Sequence, residues 1–309
     1  MLRYALRRLL HLIPTLLGVY FVTFVLFNIV GGSPALVVLG KNANAKSIAD
    51  FNHKFGYDLP LWQQFLNGLW DLLRGDFGLS TEYKLPVARI LREGVAVSLS
   101  LTVPILLLGT AVALLIGLLS AAFRGRLLDR LSLGCTTALM SINYVIWVVA
   151  GQYFLAYKWG FFPLWGYESW TYLVLPVLIG TVSGLGSDVR FYRTVLLDEM
   201  NKPHVRTALA KGLGPAAVLF RHVLRNSLVP VVTNVSLSIP FLFTGSILLE
   251  SFFGLPGLGG VGINAVHSSD VTMLRAVVLI GAALYQIATL LADLAYAWLD
   301  PRVRLVPSR

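Results

Sequence analysis

Few side chains in this chain have the types and spacing that chemistry needs. A phosphate-cradling loop requires two glycines separated by four residues, then Lys and Ser or Thr, so that backbone N–H groups and an ammonium meet the phosphates. The only Gly-Lys pair, Gly40-Lys41, is followed by Asn42 and lacks that spacing. Ser98, Ser141 and Ser183 lie in apolar runs, the setting in which a hydroxyl bonds back to a helical carbonyl. His53 reads as a solvated loop residue, with no clustered set of metal-binding side chains around it. The single cysteine, Cys135, sits in an apolar run as a small packing residue, and one thiol cannot form an internal disulfide. No nucleophile–base or metal constellation emerges. The chain is expected to be no enzyme and to bind no cofactor.

The residues that stand out are basic. Residues 188–227 read DVRFYRTVLLDEMNKPHVRTALAKGLGPAAVLFRHVLRNS and hold seven of the 25 Lys+Arg residues. Asn201-Lys202-Pro203 is a helix start, with Asn as cap and Pro in the first turn. His204 to Lys211 suits a short helix that Gly212, in the left-handed conformation, would end. Gly214-Pro215 opens a second short helix to about Arg225. Arg206 and Lys211 are expected to project outward, and Val205, Ala208, Leu209 and Leu213 to offer an apolar face. Small side chains at Thr207, Ala208 and Ala210 would let another protein's backbone come close. The alternatives are an amphipathic loop lying on lipid and a DNA-binding helix pair, which the Pro/Gly kinks disfavour.

A second set is polar and lies in apolar surroundings: Asn143, Tyr144, Gln152, Asn234, Ser236, Ser238, Thr244 and Gln286. Each serves either a helix–helix hydrogen bond or a translocation path. Pro104, Pro176, Pro230 and Pro240 are candidate bend points.

These residues need elements to hold them, and composition names the solvent. The chain is 56% hydrophobic and 13% charged, about half the charge of a soluble domain. Six stretches lack Asp, Glu, Lys and Arg: residues 9–30, 95–123, 131–157, 169–187, 226–249 and 276–292. About 20 apolar residues cross a bilayer as a helix, and backbone in lipid must satisfy itself. Strands would need an alternation that is absent. The expectation is an all-α protein with six transmembrane helices. The first apolar run is too long for a signal peptide and no small-residue cleavage site follows, so it is read as retained.

With the N-terminus inside and the helices alternating, sixteen Lys+Arg and six Asp+Glu fall inside. Nine of each fall outside, so the whole net charge of +10 lies on the inner face. That is the positive-inside pattern and a contact for anionic lipid, not a nucleic-acid footprint. Both termini are then cytoplasmic. The outer segment 31–94 contains an amphipathic stretch, Leu61–Leu73, that either lies at the interface or caps the outer mouth against a partner.

The segment VRTALAKGLGPAAVLFRHVLRN followed by LVPVVT resembles the "EAA" loop of bacterial ABC importer permeases, in the form used by the peptide/nickel class. Three further pieces agree in order: LRYALRRLLHLIPTLLGVYFVTFVLFNIVGGSPA, FGYDLPLWQQF with GDFGLS, and LLESFFGLPGLGGVG with LADLAYAWLDPRVR. The likeness covers essentially the whole chain. In that loop the acidic first position is Arg206 here, its two alanines are Thr207 and Ala208, and its glycine is Gly212; Arg225 replaces its last proline.

The resemblance implies the type I ABC importer permease fold as one transmembrane domain over 1–309, with a periplasmic loop at 31–94 and a cytoplasmic coupling loop at 188–227. It implies that Arg206, Thr207, Ala208, Lys211, Gly212 and Leu213 meet a cytoplasmic ATPase. The implied partners are a second permease, two ATP-binding subunits carrying ATP and Mg, and a periplasmic or lipid-anchored solute-binding protein. The location would be the bacterial inner membrane, and the solute a peptide or peptide-like molecule. The alternatives are a nickel or metal chelate, glutathione, or an ion-coupled carrier. A carrier needs intramembrane carboxylates, whereas Asp188, Glu250 and Asp293 lie near span ends.

Overall fold

A computed structural model describes residues 2–30, 34–40, 43–244 and 247–299. They form α1 (Leu2–Val25, continued by a π-helical turn Leu26–Val30), α2 (Pro34–Leu39), α3 (Ala45–Phe55), α4 (Leu61–Arg74), α5 (Val87–Ala122), α6 (Leu127–Ser141) and α7 (Tyr144–Gly151, continued as π-helix Gln152–Lys158). There follow α8 (Thr171–Met200), α9 (Pro203–Ala210), α10 (Pro215–Val218, continued as π-helix Leu219–Leu224), α11 (Arg225–Thr244), α12 (Ile247–Phe253), α13 (Leu258–His267) and α14 (Val271–Leu299). Among the described residues the sole β feature is an isolated bridge between Leu79 and Pro86. The chain is all-α, as its composition requires.

Four segments are continuous helices long and apolar enough to cross a membrane: Leu12–Val30, Val87–Ala122, Thr171–Met200 and Val271–Leu294. Of the six expected spans, the third is a bent pair. Leu127–Ser141 and Tyr144–Lys158 meet at 91°. Each has 15 residues or about 22 Å of rise, short of the roughly 30 Å hydrocarbon core. The break carries no proline. Asn143 accepts from the Val145 N–H at 2.9 Å and so caps a new helix. The expected fifth span is likewise two helices, α11 and α12, with residues 245–246 between them outside the described set. The Arg residues near the C-terminus, counted above as inner charges, also lie outside it.

Other expectations change with the fold. Residues 188–200, read as part of a loop, complete α8, because Val189, Tyr192, Leu196 and Glu199 bury one helical face. His53 stands on α3 rather than in a loop, exposed, with Nδ1 2.9 Å from Asp58 Oδ2. Cys135 is exposed on α6, not packed. Ser141 and Ser183 do bond back, to the carbonyls of Thr137 and Gly180, both at 2.8 Å. Ser98 also reaches other elements: it donates to Glu250 Oε1 at 2.7 Å and accepts from the Leu258 N–H at 2.9 Å.

The chain divides into two compact units. The first comprises Met1–Ser98, Phe243–Ser251 and Pro256–Leu290. Its core joins Val87 and Leu91 of α5, Leu258, Val261 and Ala265 of α13, and Met273 and Ala276 of α14. Glu250 is wholly buried and accepts from Ser98 and from the Gly260 N–H at 3.1 Å. The carboxylate lies so close to the chain that a Cβ on Gly259 would stand 2.9 Å from Oε2. Asp270 caps α14 and accepts from Ser80 Oγ at 2.5 Å, Thr81 Oγ1 at 3.1 Å and the Met273 N–H at 3.0 Å. α4 sets Phe65 against Tyr20 and Phe24 and leaves Trp62, Leu66, Trp70 and Leu73 exposed.

The second unit comprises Leu99–Leu242, Phe252–Leu255 and Leu291–Arg309. α5 exposes Leu108, Val112, Leu115 and Leu119 along one helical stripe, a lipid-type surface. It packs its other side on α8 at Gly117, where a Cβ would meet the Arg193 nitrogen at 3.1 Å. α6 approaches α8 equally closely at Gly186, 2.9 Å from its Cβ position to the Thr136 carbonyl. Small residues at these crossings are what lets helices pack in lipid, where no hydrophobic force joins them.

Candidate functional site

The corner between α8 and α11 is built by local rules. α8 ends at Met200, and Asn201 is its C-cap, not the N-cap of the next helix as expected. Lys202 occupies the N-cap of α9 without a side-chain capping bond, and Pro203 takes the first turn, where its missing N–H costs nothing. Gly212 has φ +82°. Its N–H reaches the Leu209 carbonyl at 2.9 Å, and the Leu213 N–H reaches that of Ala208 at 3.3 Å. This pair of bonds is a Schellman closure, which a left-handed residue makes possible. Gly214 and Pro215 then start α10, which runs without interruption through a π-helix into α11. The second helix is therefore the beginning of a long one, not a separate short element.

One face of α9 is turned inward. Val205 and Ala208 are buried with Leu118 and Ala121 of α5, Leu196 of α8, Val218 of α10 and Val223. Ala208 is 5% exposed and has almost no surface to give a partner, so its expected place on the contact face is corrected. Of the expected apolar face, Leu209 and Leu213 remain exposed. Arg206, Thr207, Lys211 and Gly212 are also exposed, and nothing lies within 4 Å of a Cβ on Gly212. The Thr207 hydroxyl donates to the Pro203 carbonyl at 3.0 Å.

Two buried carboxylates hold this corner. Glu199 accepts from Lys202 Nζ at 2.5 Å and from Asn226 Nδ2 at 3.0 Å. His204 Nε2 stands 3.2 Å from both Glu199 Oε1 and Asn226 Nδ2. It donates to the carboxylate when it carries a proton there and accepts from the amide when it does not. The end of α8, the first turn of α9 and the start of α11 are thereby tied at one point. Asp129, 2% exposed, accepts from Arg193 Nε at 2.7 Å and Nη2 at 2.9 Å, from Ser120 Oγ at 2.5 Å and from the Gly125 N–H at 2.8 Å. That fork joins the first turn of α6 to α8. Neither tie was found in the sequence. The available signal was a lone acid in a basic turn, RGRLLDR, and a helical arginine thirteen residues after the fourth span begins to lose its apolar character at Gly180.

The polar residues expected along a path lie on or at the ends of α7, its π-helical continuation, α11 and α14. Asn143 caps α7 and Tyr144 opens it. Gln152 Nε2 donates to the carbonyls of Leu164 at 3.1 Å and Phe252 at 2.7 Å. Asn234 Nδ2 donates to the Tyr192 hydroxyl at 3.3 Å, and Ser238 Oγ to the Asn234 carbonyl at 3.2 Å. Gln286 is half-buried on α14, in the other compact unit. Asn234 and Gln152 are thus engaged in hydrogen bonds within the chain.

An exposed helix, closed by glycine and pinned from behind to three other helices, can transmit a push from a partner into the bundle. Known proteins resemble this chain along its length. Residues 113–305 match the family described as binding-protein-dependent transport system inner membrane component, and residues 1–88 match its N-terminal membrane component. The chain is 34% identical to the glutathione transport system permease protein GsiC of Salmonella typhimurium, over 98% of this chain and 99% of that one. It is 32% identical to GsiC of Escherichia coli K12, with the same coverage. It is 31% identical to the "Probable peptide ABC transporter permease protein y4tP" of Sinorhizobium fredii, over 97% of this chain and 99% of that one. With both parts of the chain matched in order, this protein belongs to the inner membrane components of binding-protein-dependent transport systems, the ABC importer permeases of type I fold.

Proposed function

We propose that this chain forms half of the translocation pathway of an ATP-driven importer for short peptides, glutathione among them. The carrying observation is the α9 corner: an exposed edge of Thr207, Leu209, Lys211, Gly212 and Leu213 on a helix whose opposite face is buried. The substrate class rests on the relatives named for peptide and glutathione transport. Glutathione is itself a tripeptide, so the two names describe one chemistry.

In this reading ATP and Mg bind two partner subunits, and this chain does no catalysis. A second permease supplies the other half of the path, and a solute-binding protein delivers the peptide. The termini and the α9 corner face the cytoplasm, as the charge distribution supports. A subunit closing on Leu209 and Leu213 pushes α9, and the Glu199 tie passes the displacement to α8 and α11.

Gly212→Glu tests the coupling. At φ +82° a Cβ costs roughly 1 kcal/mol. With open space around the site, folding and insertion should survive. The bulky acid should sharply reduce co-purification of the ATP-binding subunits and uptake of a labelled peptide. Arg206→Ala should do less, since a rim charge mainly steers association. Normal subunit binding and normal uptake by Gly212→Glu would leave the corner a plain connector.

A further inference from the structure

Within the first compact unit, α4 and the C-terminal part of the α1 span enclose a groove of about 490 Å³. Its walls include Phe21, Val25 and Ile29 of α1 and Trp62, Phe65 and Leu66 of α4, and every lining side chain is apolar. The walls are fixed from behind. Tyr20 donates its hydroxyl to the Phe65 carbonyl at 2.9 Å, and Asn28 Nδ2 donates to Gln64 Oε1 at 2.9 Å. Gly68 lets the two helices close on one another, since a Cβ there would stand 2.5 Å from the Tyr20 hydroxyl. The Phe65 ring packs 4.9 Å from the centre of the Tyr20 ring and 5.3 Å from that of Phe24. The mouth stays open: Phe21, Ile29, Trp62 and Leu66 are all exposed.

Depth and facing say what fills it. Phe21, Val25 and Ile29 belong to the membrane span Leu12–Val30. At 1.5 Å per residue Phe21 lies about 14 Å from the Val30 end, so that wall stands in hydrocarbon. α4 divides its side chains accordingly. Gln64, Asn67 and Asp71 form one stripe and line a separate cavity that α14 also lines. Trp62, Leu66, Trp70 and Leu73 form the other stripe and are exposed. A partner in water would meet the polar stripe, whereas the apolar one shares its side with the span residues. The ends of α4 fit a helix lying at the membrane surface. Trp62 and Trp70 are belt-type residues, and Arg74 stacks on Trp70, 4.9 Å from its ring centre. The volume falls within the roughly 300–1,000 Å³ range of ligand sites.

We propose that this groove is a lipid site, filled by one acyl chain of a bilayer phospholipid that lies between α1 and α4. The chain covers Trp62, Phe65 and Leu66 and holds α4 on the membrane. The site is separate from the α9 corner, and its occupancy does not depend on ATP-binding subunits.

Trp62 is the reporter, its emission taken as the difference between the full chain and Trp62→Phe. In nanodiscs of phosphatidylcholine brominated midway along one acyl chain, this emission should be strongly quenched, and aqueous acrylamide should quench it little. In detergent micelles, titration with the same brominated lipid should saturate at a low lipid fraction, as a single site does. Leu66→Gln places an amide in the groove wall and should raise the half-saturating fraction about fivefold, because an exposed leucine gives up only part of its burial energy. Leu73→Gln, on the same stripe but outside the groove, should leave the titration unchanged. Quenching by acrylamide and not by bromine would make this a face for water or a soluble partner and would overturn the proposal. Protection from both quenchers in the assembled transporter would put a protein subunit in the groove and overturn it as well. So would quenching that rises in proportion to the lipid fraction, or equal titrations of Leu66→Gln and the wild type.

Discussion

Removing the Glu199 carboxylate should loosen α9 without unfolding the helices that hold it. The magnitude follows from two of its neighbours, Asn226 and Lys202. A hydrogen bond from an amide to a charged group contributes about 1.5–3 kcal/mol, and Asn226 makes one at 3.0 Å. The Lys202 pair contributes at most about 1 kcal/mol, because the lysine side chain is 55% exposed and screened by water. After Glu199→Ala, both Lys202 and Asn226 can rehydrate, which limits the loss to about 2 kcal/mol. Val205 and Ala208 keep the inner face docked, so the loss appears as local opening rather than global unfolding. At 1.4 kcal/mol per factor of ten, backbone amides across residues 203–211 should exchange about 30-fold faster. Glu199→Gln keeps an acceptor for Asn226 and should give only about fivefold. Hydrogen exchange with mass-spectrometric readout resolves the two. Unchanged exchange across α9 in Glu199→Ala would refute the tie, and a uniform rise through α8 and α11 would show that the carboxylate holds the whole unit instead.

Asp129→Asn breaks a buried fork to Arg193 and should destabilise the chain by about 3 kcal/mol in chemical unfolding. Asp129→Leu combined with Arg193→Met should recover most of that loss, because an apolar pair leaves no stranded charge. Asp270 should make the first compact unit acid-sensitive. Burial raises its pKa, but bonds from Ser80, the Met273 and Glu82 N–H groups and Thr81 outweigh burial and hold it below the usual carboxylate value. Its contribution is therefore fully present above the unfolded value of about 3.9 and is lost as pH falls through the lower folded value. Asp270→Asn should flatten that part of the stability–pH profile, measured by tryptophan fluorescence.

What the sequence carried was local. Charge-free length marked the spans, since a bilayer filters composition residue by residue. Gly212 and Pro215 marked the corner, because φ restrictions act at single positions. The break after α6 escaped, since apolar character continues through Ile142 and only Asn143, an amide able to start a new turn, interrupts it. The four prolines read as bend points all sit inside helices, Pro104 in α5, Pro176 in α8, and Pro230 and Pro240 in α11. Which side of α9 faces inward depends on Leu118 and Ala121, almost ninety residues earlier in the chain. No periodicity within α9 encodes that. The same holds for Ser98, whose partner Glu250 lies 152 residues away.

Cross-linking from the corner in the assembled transporter tests the central claim most directly. Cys135 is exposed and would be replaced by serine to clear the background. A single cysteine is then placed at Leu213 or, separately, at Leu209, both exposed. If α9 is the contact through which ATP drives this permease, each should form an adduct with an ATP-binding subunit, and the yield should change when ATP is added. A transporter that takes up peptide normally yet gives no such adduct from either position, with or without ATP, would contradict the account.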